Sequence, residues 1–321
     1  MRRPFAISRR HLLASAAASF AFGHGARAAE YSRSWTFGNV TVSKIVEMSA
    51  PLPARRHFPD APLDVLDENA SWLAPHFYDP ATKNDISTYQ AYVVRTQRIV
   101  LVMDGGYGDF LPSEAERPGQ HRESFVDNLR RAGVAPEQVT HVINSHFHAD
   151  HIGWNTRRDG ENRVPMYPKA RYLFDRKEYD ATATAAATNA GTATAFNACV
   201  KPVMEAGVGD LIDGDLDLGD GLRIVATPGH TPGHHSLAIA SKGRRAILSG
   251  DVIHNPIEVL HPEWTMGFDA DKDAARAQRI KFVDAHTDVD VTILAAHFGG
   301  PTAGKIVSEK GGKRVFRTLV P

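Results

Sequence analysis

The sequence predicts an α+β fold in which two layers of sheet pack together with helices outside. Two patterns carry that prediction. Short β-like runs recur along the 321-residue chain, and the helical patterns between them are few. The composition agrees: 42% hydrophobic and 23% charged residues supply enough apolar surface for a sizeable core. No low-complexity linker divides the chain, so residues 29–321 read as a single domain.

Taken in order, residues 39–46 alternate as a strand does. Residues 51–80, rich in Pro and aromatics, are expected to form a flap over a site. Residues 89–95 and 99–103 form a hairpin that ends at Asp104-Gly105-Gly106. Residues 122–132 read as a helix closed by Gly133. Residues 139–145 are a further strand. The Ala/Thr-rich stretch 181–195 is expected to be an ordinary helix, since Ala is the best helix former and Thr a middling one. Residues 222–226, 236–240 and 245–249 are strands separated by Gly-containing turns. A helix over 271–285 follows, then an apolar run at 291–295 that suits a buried strand.

Several function classes are excluded. The single cysteine, Cys199, allows no disulfide within the chain and no Cys-rich zinc module. Lys plus Arg equals Asp plus Glu at 37 each, so nothing points to nucleic acid or an anionic membrane as partner.

Residues 1–28 differ from the rest. Arg2, Arg3, Arg9 and Arg10 make a basic start, a short small-and-apolar run follows, and Ala26-Arg27-Ala28 reads as a cleavage site. Ser8-Arg9-Arg10-His11-Leu12-Leu13 resembles a twin-arginine export signal, which implies a periplasmic or secreted protein cleaved after Ala28. The apolar run falls short of the ~20 residues a membrane span needs. The segment holds five Arg and no acid, so its loss takes the formal charge from 0 to −5.

Sixteen His is the unusual count. The informative string is His146-Phe147-His148-Ala149-Asp150-His151, just past a predicted strand. His146 and His148 are two apart, so in extended chain they face the same way. Three imidazoles and a carboxylate so close together suit a zinc-like divalent ion. Thr227-Pro228-Gly229-His230-Thr231-Pro232-Gly233-His234, Ser249-Gly250-Asp251 and Ala295-Ala296-His297-Phe298 each follow a strand in the same manner. Sheet edges gather side chains that are distant in sequence.

Those four motifs, in that order, resemble the metallo-β-lactamase superfamily. The resemblance runs from about Trp35 to Phe316. It implies an αββα sandwich, two mixed sheets flanked by helices, with two divalent metal ions, most often Zn²⁺, at one end. By position, it implies that His146, His148 and His230 hold the first ion. Asp150, His151 and His297 hold the second, Asp251 bridges both, and Asp104 orients a ligand from outside. His234, His235 and His254 lie close to these ligands in sequence and are candidates for the same outer role. A bridging Asp and the absence of a Cys ligand resemble lactonase and phosphotriesterase branches more than zinc β-lactamases. Phe37-Gly38-Asn39-Val40-Thr41-Val42, the run 128–142 and the run 229–239 are similar to the methyl parathion hydrolase group and related lactonases.

The expected activity is hydrolysis of ester-type bonds, in a lactone or an aryl phosphotriester, by a hydroxide bridging two metals, with Asp150 and Asp251 as the catalytic carboxylates. The alternatives are a β-lactamase-like amide hydrolase and a mononuclear iron sulfur dioxygenase. Aromatic and apolar residues near the motifs, namely Phe110, Phe147, Trp154, Tyr179, Trp264, Met266, Phe268 and Phe298, are expected to line a mouth for a small, neutral, partly hydrophobic substrate. A homodimer is compatible with the sequence, which does not fix the oligomeric state.

Overall fold

The computed structural model describes residues 32–110, 121–122 and 124–319. Residues 1–28, expected to be an export signal, lie outside the described residues. Within them, no helix is long and apolar enough to cross a membrane.

Two large sheets form the centre. In the first, Ser32–Phe37, Val40–Pro53, Asn84–Arg95, Val100–Met103, His141–Ile143, Arg171–Asp175 and Gly209–Ile212 lie side by side in that order. In the second, Leu216–Gly219, Leu222–Ala226, His235–Ser241, Arg244–Leu248, Thr292–Leu294, Ala303–Ser308 and Arg314–Thr318 do the same. The predicted hairpin is present, with Tyr92 opposite Met103 and Arg95 opposite Val100.

The sheets stack because their strands are apolar on both faces. Along Asn84–Arg95, Tyr92 and Val94 point into the layer between the sheets, whereas Ala91 and Val93 point to the outer layer. The period of two makes this alternation. From the second sheet, Leu222, Ile224, Leu237, Ile239, Leu248 and Leu294 meet Tyr92, Leu101, Met103 and Ile143 in the shared core. Outside the first sheet pack the helices Phe125–Arg131 and Ala190–Cys199. Outside the second pack Phe282 and Val283 of the helix Lys272–His286, with Ile247 and Ile293 beneath them. The layers therefore run helix, sheet, sheet, helix.

Two sequence expectations change. The Ala/Thr stretch is two helices, Arg176–Ala186 and Ala190–Cys199. Asn189 divides them, because its side chain accepts from the Thr192 N–H and caps the second helix. The segment 51–80 is no free flap: Phe58, Leu66, Leu73, Phe77 and Tyr78 are buried in the outer core of the second sheet. Its start still reaches the site described next.

Parallel pairing fixes where that site lies. Val100–Met103 runs parallel to His141–Ile143, and Arg244–Leu248 runs parallel to Thr292–Leu294. Parallel neighbours end on the same edge, so the loops after each pair open together, and side chains from both pairs meet at one end of the sandwich.

Candidate metal centre

Each motif occupies one of those loops or the turn after Leu222–Ala226. Asp104 follows Val100–Met103, and His146 and His148 follow His141–Ile143. Asp150 and His151 sit on the short helix Ala149–Ile152. His230 lies on the turn between Leu222–Ala226 and His235–Ser241. Asp251 follows Arg244–Leu248, and His297 follows Thr292–Leu294.

The structure brings these side chains together. His146, His148 and His230 place ligand atoms within 4.8 Å of one another, and Asp150, His151 and His297 do the same. Asp251 Oδ2 lies between the two groups. It is 3.7 Å from His146 Nε2, 3.3 Å from His151 Nε2 and 3.6 Å from His230 Nε2. It is also 3.2 Å from His254 Nε2 and 3.1 Å from His297 Nε2. Gly250 makes this approach feasible. Its φ is +55°, and a Cβ there would sit 2.6 Å from His234 Nε2 and 2.7 Å from Ser145 Cβ.

The cluster fits divalent ions on its own chemistry. His146 Nε2, His151 Nε2, His254 Nε2 and Asp251 Oδ1 are buried without a hydrogen-bond partner of good geometry. Buried polar atoms are seldom left so, and these converge on one spot. The donor set is imidazole and carboxylate, which zinc and its neighbours accept. Burial first, then the neighbouring imidazoles, push His146 and His230 well below the ordinary His range, towards the neutral form that ligates a metal. Burial opposes the charge on Asp251, yet His151, His297 and His254 hold it well below the carboxylate range.

An outer set of groups aims the candidate ligands. His151 Nδ1 is 3.1 Å from Asp104 Oδ2. Asp104 has φ +62°, a left-handed conformation uncommon for Asp, and its other oxygen accepts from the Ser145 N–H at 2.7 Å. His230 Nδ1 donates to Asp269 Oδ1 at 2.8 Å, and His297 Nδ1 donates to the Thr88 carbonyl at 3.2 Å. The Asp251 N–H donates to His234 Nε2 at 2.9 Å. His235 pairs instead with Asp175, at 3.3 Å. Behind Asp269 lies Arg279, 1% exposed, whose Nε is 3.0 Å from Glu258 Oε1 and whose Nη2 is 3.6 Å from Asp269 Oδ2. Glu258 Oε2 in turn faces His254 Nδ1 at 3.6 Å. One buried guanidinium thus backs the carboxylates behind two imidazoles of the site.

A cavity of about 300 Å³ opens over the cluster. His148, Asp150, His230, Asp251, His254 and His297 form its floor. Leu52, Arg56, His57, Met266 and Phe268 line it, with Ser87, Tyr89 and Tyr107. Met266 and Phe268 are where the sequence suggested. The other expected wall residues are elsewhere, and packing explains each one. Phe147 alternates with His146 and His148, so its ring turns into the core against Phe174, at 5.0 Å. Phe298 is fully buried against Phe77 and Phe316. Trp264 packs on Phe58 and His261. Trp154 stacks on Phe125, and its Nε1–H donates to Glu47. Tyr179 lies on Phe196, and Phe110 packs at the rim of the first sheet's outer core. Phe147 does border a second groove beside the paired helices, shared with His148 and Ala149.

Sequence reasoning missed Asp269, Glu258, Arg279, Glu47 and His57. Glu47 is fully buried and accepts from the N–H groups of Tyr107 and Gly108, so it fixes the loop that carries Tyr107 to the cavity. None lies in a motif. His254 carried a signal, since it stands three residues past Asp251.

A family model for the metallo-beta-lactamase superfamily matches residues 87–297. An N-acyl homoserine lactonase of Bacillus sp is 27% identical over 205 residues, covering 60% of this chain and 74% of that protein. The Bacillus thuringiensis N-acyl homoserine lactonase is 27% identical over 141 residues, 44% of this chain and 47% of its own length. Among solved structures, the hydrolase AbOPH of the beta lactamase superfamily matches with TM-score 0.76 and 21% identity, covering 90% of this chain and 98% of its own. AidC, a dizinc quorum-quenching lactonase in complex with the product N-hexanoyl-L-homoserine, matches with TM-score 0.73 and 20% identity, covering 91% and 100%. At these identities the structural matches speak for the fold.

Proposed function

The chain belongs to the metallo-beta-lactamase superfamily and is a metal-dependent hydrolase; from that premise we propose that it opens lactones carrying an N-acyl arm. His146, His148 and His230 would hold one ion, Asp150, His151 and His297 the other, and Asp251 both. Zn²⁺ is the ion we assign, on the imidazole and carboxylate donor set. When bound, two such ions supply Lewis-acid polarisation and a nucleophilic water near neutral pH. The observation that carries this reading is the convergence of His146, His151, His230 and His297 on the single oxygen Asp251 Oδ2.

The protein's own groups do the rest. Asp269 and the Thr88 carbonyl fix which ring nitrogen of His230 and His297 faces inward. Asp150 is the more exposed floor carboxylate, its side chain 17% accessible against 3% for Asp251. It is therefore placed to exchange a proton with the cavity. Leu52, Met266 and Phe268 offer apolar surface to an acyl arm. Cys199 is buried, its thiol pushed up to about 12 by burial, and it belongs to none of the ligand groups found among the described residues. A β-lactamase site with a Cys ligand is therefore not supported.

The test is a paired assay on the zinc-loaded chain, with N-hexanoyl-homoserine lactone and a dimethyl aryl phosphotriester. The proposal expects kcat/KM above ~10⁴ M⁻¹s⁻¹ on the lactone. Values near background on the lactone, with two metals bound, overturn it. A phosphotriester value that exceeds the lactone value moves the chain to the other branch.

A further inference from the structure

The cavity wall contains a further buried acid–imidazole pair that the reaction described above leaves unused. His57 ends the short helix Ala54–His57 and lines the cavity while only 3% exposed. Its Nδ1 lies 2.6 Å from Asp85 Oδ2, and Asp85 is 1% exposed. The two atoms approach closely without a hydrogen bond of good geometry. Asn255 Nδ2 donates to the other Asp85 oxygen at 2.5 Å and also to the Phe77 carbonyl. Ser87, itself at the cavity, donates to Asp85 Oδ2 at 3.4 Å. Phe58 and Phe268 meet the His57 ring edge-on, at 6.0 and 5.8 Å.

A carboxylate buried to this degree costs free energy unless it is compensated. Here Asn255 and Ser87 supply part of that compensation and His57 the rest. The result is an imidazole held between aromatic edges, with Nδ1 turned towards Asp85. The nitrogen that remains for a ligand is Nε2. His57 belongs to none of the metal-ligand groups among the described residues.

We propose that the His57–Asp85 pair is a substrate-positioning site that hydrogen-bonds the amide group joining the acyl arm to the lactone ring. The inference rests on the lactonase reading and deepens it. An amide carries both an N–H and a carbonyl, so Nε2 meets it as an acceptor when the ring is neutral and as a donor when it is charged. A plain ester or lactone lacks the N–H. Leu52 and Phe268 lie beside His57 in the wall, where the apolar part of the arm would continue.

The experiment compares two substrates in each preparation: N-hexanoyl-homoserine lactone and an amide-free lactone with an alkyl arm of similar length. Partial misfolding lowers both rates alike, so their ratio reports the contact itself. His57→Phe and His57→Gln are measured beside the unsubstituted chain. For His57→Phe, the proposal expects the ratio of kcat/KM on the amide substrate to that on the amide-free lactone to fall about 10-fold or more, mostly through KM for the amide substrate. His57→Gln, which restores a hydrogen-bonding atom, recovers part of the loss. An unchanged ratio in His57→Phe overturns the proposal. An unsubstituted chain inactive on both lactones overturns the lactonase reading instead. In that case calorimetric binding of N-hexanoyl-L-homoserine to the zinc-loaded chain and to His57→Phe reads the pair without turnover. At least 10-fold weaker binding by the variant then supports the contact, and equal affinity overturns it.

Discussion

The floor of the cavity and the wall that faces it are built in different ways. The floor comes from loops after strands that lie near the middle of both sheets, and its ligands are rigidly backed: His146 is fully buried and Asp251 is 2% exposed. The wall comes from the end of a long strand, a four-residue helix and the 264–268 turn, and Phe268 is 39% exposed. The floor carries carboxylates and unpaired ligand atoms, whereas the wall mixes apolar surface with one imidazole, the Arg56 guanidinium and hydroxyl groups. Chemistry that needs fixed geometry is placed where the sheets fix it. On the proposed reading, substrate shape is met by the more exposed wall.

The comparison predicts unequal responses to substitution. Asp251→Ala removes the one oxygen that five imidazole nitrogens approach. Its kcat/KM should fall by more than the ~10–100-fold that loss of an outer partner costs. An activity within a few-fold of the unsubstituted chain would break the distinction between floor and wall.

Arg279→Met acts one layer back. It leaves Glu258 and Asp269 buried without their cation, which should destabilise the chain by ~3–5 kcal/mol. Urea unfolding of the zinc-loaded protein measures this, and a change below ~1 kcal/mol would contradict it.

Glu258 gives the same network a pH signature. Burial alone would raise its pKa, but Arg279 and His254 hold it at about 2, below the ordinary 4.5. A lowered carboxyl pKa stabilises the fold fully above 4.5, and that stability is lost as pH falls towards about 2. Across this window Glu258→Gln should show a flatter fall of Tm with acidification than the unsubstituted protein, both metal-free. Parallel curves would remove Glu258 from the account.

Phe268→Ala is the mild case. The ring is partly exposed, so stability should change by about 0.5 kcal/mol or less, while KM for a long acyl arm rises a few-fold at constant kcat. A fall in kcat as large as that of Asp251→Ala would erase the contrast.

The same contrast explains what could be read before folding. The floor was legible because its ligands are clustered within short motifs: His146 and His148 share a face by strand period, and Gly250 marks a backbone that only glycine fits. The inter-sheet core was legible too, since Leu222, Ile224, Leu237 and Ile239 alternate strictly. The wall was not. His57, Asp85 and Asn255 are separated by up to 170 residues along the chain at one contact, and none carries a motif. The aromatic residues adjacent to ligands misled for a simple reason: a residue next to an inward-facing His in extended chain faces the opposite way, as Phe147 does. Arg279, on the face of an ordinary-looking helix, reads as a solvated charge until Glu258 and Asp269 are seen to close around it.

The central claim is that the floor holds two divalent ions at once, joined through Asp251. The most direct measurement is elemental analysis of the purified chain during titration with a chelator, beside Asp251→Ala. The account predicts two ions per chain in the unsubstituted protein, lost in steps that track activity, and fewer in the variant. Two ions retained by Asp251→Ala, or full activity in a chain stripped of metal, would contradict it.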